Sequence, residues 1–186
     1  MNEIAKHGTA VDLVGHDWGA LLVIRAACLR PDLVHTWAAG AAPLDADYEW
    51  HEAARLWQTP EVGERVMEKL SPAALEKALA AAGVPTDDAR EAASHLDDTM
   101  KRCILRLYRS AVDVGRDWGP DRAQIPTPGL VLWGEDDPYA APVWGHRLAE
   151  RTGARFVTFP GCSHWWQLQR PAAVVAELQA VRTSAR

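Results

Sequence analysis

One short segment constrains the fold of this chain more than any other. A compact, β-branched run from Ala10 to Val14 meets Gly15-His16-Asp17-Trp18-Gly19, and helix-forming residues continue from Ala20 to Leu29, where Arg30-Pro31 breaks the pattern. This reads as a buried strand, a tight turn and a helix, the first half of a βα unit. Two glycines flanking one residue suit a turn that holds that residue in a strained backbone conformation while neighbouring chain approaches closely. Asp17 is the residue so projected above the sheet. A plainer role is open to it, that of capping the helix in an ordinary βα turn such as those of dinucleotide-binding proteins.

The rest of the chain extends the same pattern. A second strand is expected at His35 to Ala41, at a spacing that suits a right-handed crossover between parallel neighbours. Further strands are expected at Gly129 to Trp133 and Arg155 to Phe159, with an amphipathic helix at Pro142 to Arg151 and a closing helix at Pro171 to Arg182. From Leu44 to Ala123 no strand-like run occurs. Breaks at Pro60, Ser71-Pro72, Gly83-Val84-Pro85 and Gly115 divide that stretch into four expected helices, with Ser71-Pro72 and Thr86-Asp87-Asp88 as starts. The prediction is an α/β fold with a mostly parallel sheet, in three stretches: residues 1–43, a helical insertion at 44–123, and residues 124–186.

Charge and cysteine usage narrow the function classes. The net charge of −5 comes without a Lys/Arg-rich run, which argues against nucleic acid as a partner. The longest apolar run, Ala20 to Leu29, is interrupted by Arg25 and falls short of the ~20 residues a bilayer span needs. Met1 to Lys6 carries no apolar block, so the expected location is the cytoplasm. Cys28, Cys103 and Cys162 lack metal-site spacing and are expected to be reduced thiols. No metal or cofactor is expected, and the expected partner is a small-molecule substrate.

Two further turns carry groups able to work with Asp17. Pro160-Gly161-Cys162-Ser163-His164 places a histidine in the loop between the last strand and the closing helix, the setting of a general base. The six other histidines (His7, His16, His35, His51, His95 and His146) are expected to be structural or solvated. Gly134-Glu135-Asp136-Asp137-Pro138 ends a strand in an acidic turn, where a carboxylate can orient an imidazole. Asp137 is the choice, with Glu135 and Asp136 close enough to compete, and a solvated acidic loop is the plain alternative. A carboxylate nucleophile attacks saturated carbon to give an alkyl ester, which histidine-activated water then hydrolyses. The backbone N–H of Trp18 and the helix dipole behind Asp17 can stabilise the oxyanion formed in that second step.

Gly15-His16-Asp17-Trp18-Gly19-Ala20, Trp133-Gly134-Glu135-Asp136-Asp137-Pro138 and Gly161-Cys162-Ser163-His164-Trp165 through Arg170-Pro171 together resemble the motifs of the epoxide hydrolase and haloalkane dehalogenase branch of the α/β-hydrolases. The order nucleophile, acid, histidine is also that of the α/β-hydrolases. The resemblance implies an α/β-hydrolase fold lacking its amino-terminal strands, with the helical insertion as a cap over the active site. It implies an epoxide hydrolase with Asp17 as nucleophile, Asp137 and His164 as acid and base, and Tyr108, in Leu107-Tyr108-Arg109, as donor to the epoxide oxygen. Tyr108 can equally be an amphipathic residue at the cap interface.

The segment Arg55 to Pro60 lacks the second cap tyrosine. Trp57 and Trp18 can instead donate indole N–H bonds to a departing halide, so a dehalogenase is the alternative. The loop that supplies a second oxyanion donor is also missing, which leaves a non-catalytic remnant as a third expectation. Absent strands would bare a sheet edge through which the chain self-associates.

Overall fold

The structure, a computed structural model, describes residues 2–119 and 125–184. Four strands form one sheet in which every pair is parallel: β1 (Val11–His16), β2 (Val34–Gly40), β3 (Gly129–Gly134) and β4 (Arg155–Phe159), adjacent in chain order. The helices are α1 (Asn2–Ala5), α2 (Trp18–Leu29), α3 (Glu52–Gln58), α4 (Val62–Lys69), α5 (Pro72–Ala81), α6 (Thr86–Ser94), α7 (Asp98–Ser110), α8 (Val114–Trp118), α9 (Pro142–Thr152), α10 (Trp166–Gln169) and α11 (Pro171–Ser184). None is long and apolar enough to cross a membrane.

The sheet takes its core from the strand runs recognised in sequence. Leu130 and Leu132 of β3 pack with Val174 and Val181 of α11, together with Phe159, Cys162 and Trp166. Successive strand residues face opposite sides, and Trp133 accordingly meets Gly145 of α9 on the other face. β2 and β3 are buried almost throughout, whereas β1 lies at the rim of the sheet with Val14 59% exposed.

The described chain divides into two compact units, residues 1–48 with 115–186 and residues 49–114. The second is helical throughout its regular structure. It contains five complete helices, α3 to α7, and the start of α8, where four helices were expected over the wider stretch. The additional boundary is at Asp97, whose side chain accepts the backbone N–H of Met100 at 2.6 Å and so starts α7 afresh after α6 ends at Ser94. Thr86 is the first residue of α6 and Pro85 its cap, one position from the expected start. Ser71 does cap α5, accepting from the Ala74 N–H. The expected end of the insertion, Ala123, lies outside the described residues.

Chain leaves the first unit and returns to it at neighbouring points. Asp45, 4% exposed, pairs with Arg151 at 2.6 Å and Arg147 at 3.7 Å on α9. A methyl group on Gly115 would collide with the Asp45 carbonyl. The outgoing and returning chain are therefore in backbone contact.

Candidate active site

The turn after β1 has the strained geometry that its sequence suggests. Asp17 has φ 52° and ψ −123°, a region L-residues rarely occupy and one that costs on the order of 1–3 kcal/mol. Its N–H donates to the Gly40 carbonyl at the end of β2 (3.0 Å), and its own carbonyl accepts from Ala20 at the start of α2 (3.0 Å). The side chain makes no helix-capping bond. The carboxylate is thus free of the capping role that was its plain alternative.

The two glycines have different reasons to be there. A methyl group on Gly15 would strike the Gly19 backbone, because the first turn of α2 folds back onto the end of β1. Gly19 itself would meet nothing within 4 Å, so the close approach constrains Gly15 alone.

Burial pushes the Asp17 pKa upward, against the charge of His164 and a hydrogen bond from the Trp18 backbone, which both pull it down. The folded state therefore holds the Asp17 proton more tightly than the unfolded chain does. That contribution to stability is complete below the ordinary value of 3.8 and disappears as pH rises through the raised folded-state value. An ionised Asp17 at neutral pH is a cost to the fold. Asp17→Asn is expected to melt at a higher temperature than the parent at pH 7, with the gain shrinking toward pH 3, as differential scanning fluorimetry across pH would show.

The acidic turn after β3 presents one of its three carboxylates inward. Asp137 is buried, while Glu135 and Asp136 are exposed. Asp137 Oδ1 accepts from the backbone N–H groups of Tyr139 (2.9 Å) and Ala140 (3.1 Å), and Oδ2 accepts from His164 Nδ1 at 2.9 Å. These bonds fix the carboxylate plane and turn the imidazole so that Nε2 is the nitrogen left to exchange a proton. His164 is buried with it.

The loop that carries His164 runs back over the carboxyl ends of the sheet. Asp136 N–H holds the Cys162 carbonyl at 2.9 Å, and Ser163 N–H donates to Gln169 Oε1 at 2.8 Å. Gly134 leaves no room for a side chain under the Ser163 carbonyl, and Gly40 leaves none under the Trp166 ring. Asp17, Asp137 and His164 thus all stand at the carboxyl end of one sheet, and the charge of His164 reaches Asp17.

Two further residues stand in this region. His16, expected to be structural or solvated, has a structural bond: it donates through Nε2 to the His164 carbonyl at 2.9 Å. Tyr139 stands half-buried with its ring edge-on to His164 (5.1 Å between centroids). Burial, then Asp137 and Asp17, push its phenol pKa upward, so it stays protonated. The only hint of Tyr139 was its place two residues after the acid.

Tyr108 and Trp57 belong to the helical unit. Tyr108 is buried there, with its ring 4.8 Å from that of Trp57 and 5.5 Å from that of Trp50. Arg109 beside it pairs with Glu64 at 2.6 Å and donates to the Trp57 carbonyl at 3.1 Å. Among the described residues no group of three or more His, Cys, Asp or Glu side chains is placed to hold a metal ion.

Residues 2–178 match the model of a family described as the alpha/beta hydrolase family. Among solved structures, the chain is similar to a Mycobacterium tuberculosis H37Rv protein described as a non-heme bromoperoxidase (TM-score 0.75, 19% identity, 100% of this chain and 71% of that one). It is also similar to the meta-cleavage product hydrolase of Pseudomonas fluorescens IP01 (0.77, 16%, 95% and 66%). A third is the enol-lactonase of Burkholderia xenovorans LB400 (0.65, 20%, 94% and 66%). The chain spans about two thirds of the length of these structures, and at these identities the likeness is one of fold.

Proposed function

The chain belongs to the alpha/beta hydrolase family, and from that premise we propose that it hydrolyses epoxides through an ester formed on Asp17. The observation that carries this reading is a carboxylate, held at φ 52° in the turn after β1, at the same sheet end as a buried histidine and acid pair. A carboxylate that attacks an electrophilic saturated carbon leaves an ester for water to cleave.

In the proposed sequence an Asp17 oxygen bonds to the epoxide carbon while the ring C–O bond breaks. Tyr108 donates a proton to the released oxygen. Water then loses a proton to His164 Nε2 and adds to the Asp17 carbonyl carbon, and the Trp18 backbone N–H stabilises the oxyanion. Collapse expels the diol oxygen, which takes the proton back from His164, and the carboxylic acid left on Asp17 returns its proton through solvent to the Tyr108 phenolate, restoring both groups. Asp137 holds the imidazolium in place.

Halide displacement is the second reading, favoured by Trp57 standing where a second cap tyrosine is absent, next to Tyr108. The two readings separate by experiment. Intact-mass spectrometry after incubation with a panel of epoxides and haloalkanes is expected to show an adduct on Asp17 with epoxides. Tyr108→Phe is expected to slow epoxide opening by about 10²-fold or more and to leave halide displacement nearly unchanged, because only the epoxide oxygen needs the phenolic proton. An adduct with haloalkanes alone would establish the second reading, and no adduct with either class would remove both.

A further inference from the structure

We propose that His16 is a positioning residue for the base: its ring N–H holds the backbone carbonyl of His164 and so fixes the base-bearing loop relative to the neighbouring nucleophile. The proposal rests on the assignment of Asp17 and His164 to ester formation and hydrolysis.

The topology explains why such a tie is needed. In the order β1-β2-β3-β4, Asp17 follows one outer strand of the described sheet and His164 follows the other. The loop after β4 must therefore cross the ends of β3 and β2 to bring His164 toward Asp17. Over β3 it is held by the Asp136 N–H on the Cys162 carbonyl. Over β2 it is held by Trp166, seated on Gly40 and stacked on Phe159 at 5.6 Å. At β1 the contact is His16, the residue immediately before Asp17, bonded to the carbonyl of His164 itself.

Ring contacts lock the geometry of that bond. The His16 ring lies 4.6 Å from His164, 5.2 Å from Trp165 and 5.7 Å from Trp166, three consecutive residues of the loop. A carbonyl only accepts, so His16 Nε2 carries the hydrogen. Burial and the charge of His164 push the His16 pKa down to about 4, partly opposed by the His164 carbonyl and by Asp137, which keeps the ring neutral near pH 7. A neutral neighbour does not repel the positive charge that His164 acquires as it takes the proton from water.

A small displacement of the base should slow the step the base promotes more than the step it does not. His16→Phe keeps a ring and loses the N–H, and His16→Gln keeps an N–H at comparable reach. In His16→Phe, rapid-quench mass spectrometry with a reactive epoxide is expected to show ester hydrolysis slowed by about 10- to 100-fold. Ester formation should change much less, so the adduct accumulates, and His16→Gln should recover most of the lost rate. Independently of turnover, the carbonyl ¹³C resonance of His164 should shift in His16→Phe and return toward its parent position in His16→Gln.

Equal slowing of both steps, or parent-like hydrolysis and an unmoved carbonyl resonance in His16→Phe, would overturn the assignment. If His16→Phe does not fold, His16→Asn, whose amide is too short to reach the carbonyl, gives the same contrast with His16→Gln. An ester trapped in His164→Gln but not enriched in His16→Phe overturns the role of His16 alone. Absence of any ester in His164→Gln overturns the reading beneath it.

Discussion

His164→Gln, incubated with a reactive epoxide, is expected to carry one stable adduct of the full epoxide mass on Asp17, whereas Asp17→Ala is expected to carry none. Both variants should lose turnover by on the order of 10⁴-fold or more, the scale seen when a nucleophile or its base is removed. They should fail at different steps, because in the proposed sequence Asp17 supplies the bond to carbon and His164 supplies only the base for the water that follows. Peptide mapping of the modified protein places the adduct. An adduct on another carboxylate, or equal labelling of both variants, would remove Asp17 from the nucleophile's role.

Asp137→Asn is expected to be nearly as damaging, although it changes a single atom. Oδ1 of Asp137 is pinned by two backbone donors, Tyr139 and Ala140, which an amide oxygen would satisfy equally well. The amide NH₂ then points at His164 Nδ1, where Oδ2 now accepts at 2.9 Å. Facing a donor, Nδ1 must give up its proton and Nε2 must carry it, so Nε2 can no longer take one from water. The expected loss is about 10⁴-fold in kcat with KM little changed. Steady-state kinetics alongside a folding check by circular dichroism would measure this, and a loss below about tenfold would show that the pair does not orient the base.

Much of this arrangement is legible in the residues because it is written locally. Each strand is a short apolar run closed by glycine or proline, and the turn at Asp17 announces itself through Gly15, which a Cβ would drive into the Gly19 backbone. Asp137 is the choice from the sequence, but Glu135 and Asp136 stay in competition with it there. All three are acidic, and only the path of the folded turn decides which is buried against His164. The break before α7 escaped notice because an aspartate makes it, without the proline or glycine that marked the others. His16 escaped for a different reason. Its partner is the backbone carbonyl of a residue far along the chain, and no side-chain pattern encodes a backbone acceptor.

The contact between Asp45 and Gly115 makes the helical unit an exchangeable cassette. Because its two ends are already held together within the first unit, partly by the Asp45 pairing with Arg147 and Arg151, the entropy of closing that excursion depends only weakly on what lies between. Insertions, deletions or whole replacements within residues 49–114 can then occur without moving the register of β2 against β3. Selection can thus rebuild one unit freely while the groups at the sheet ends keep their spacing.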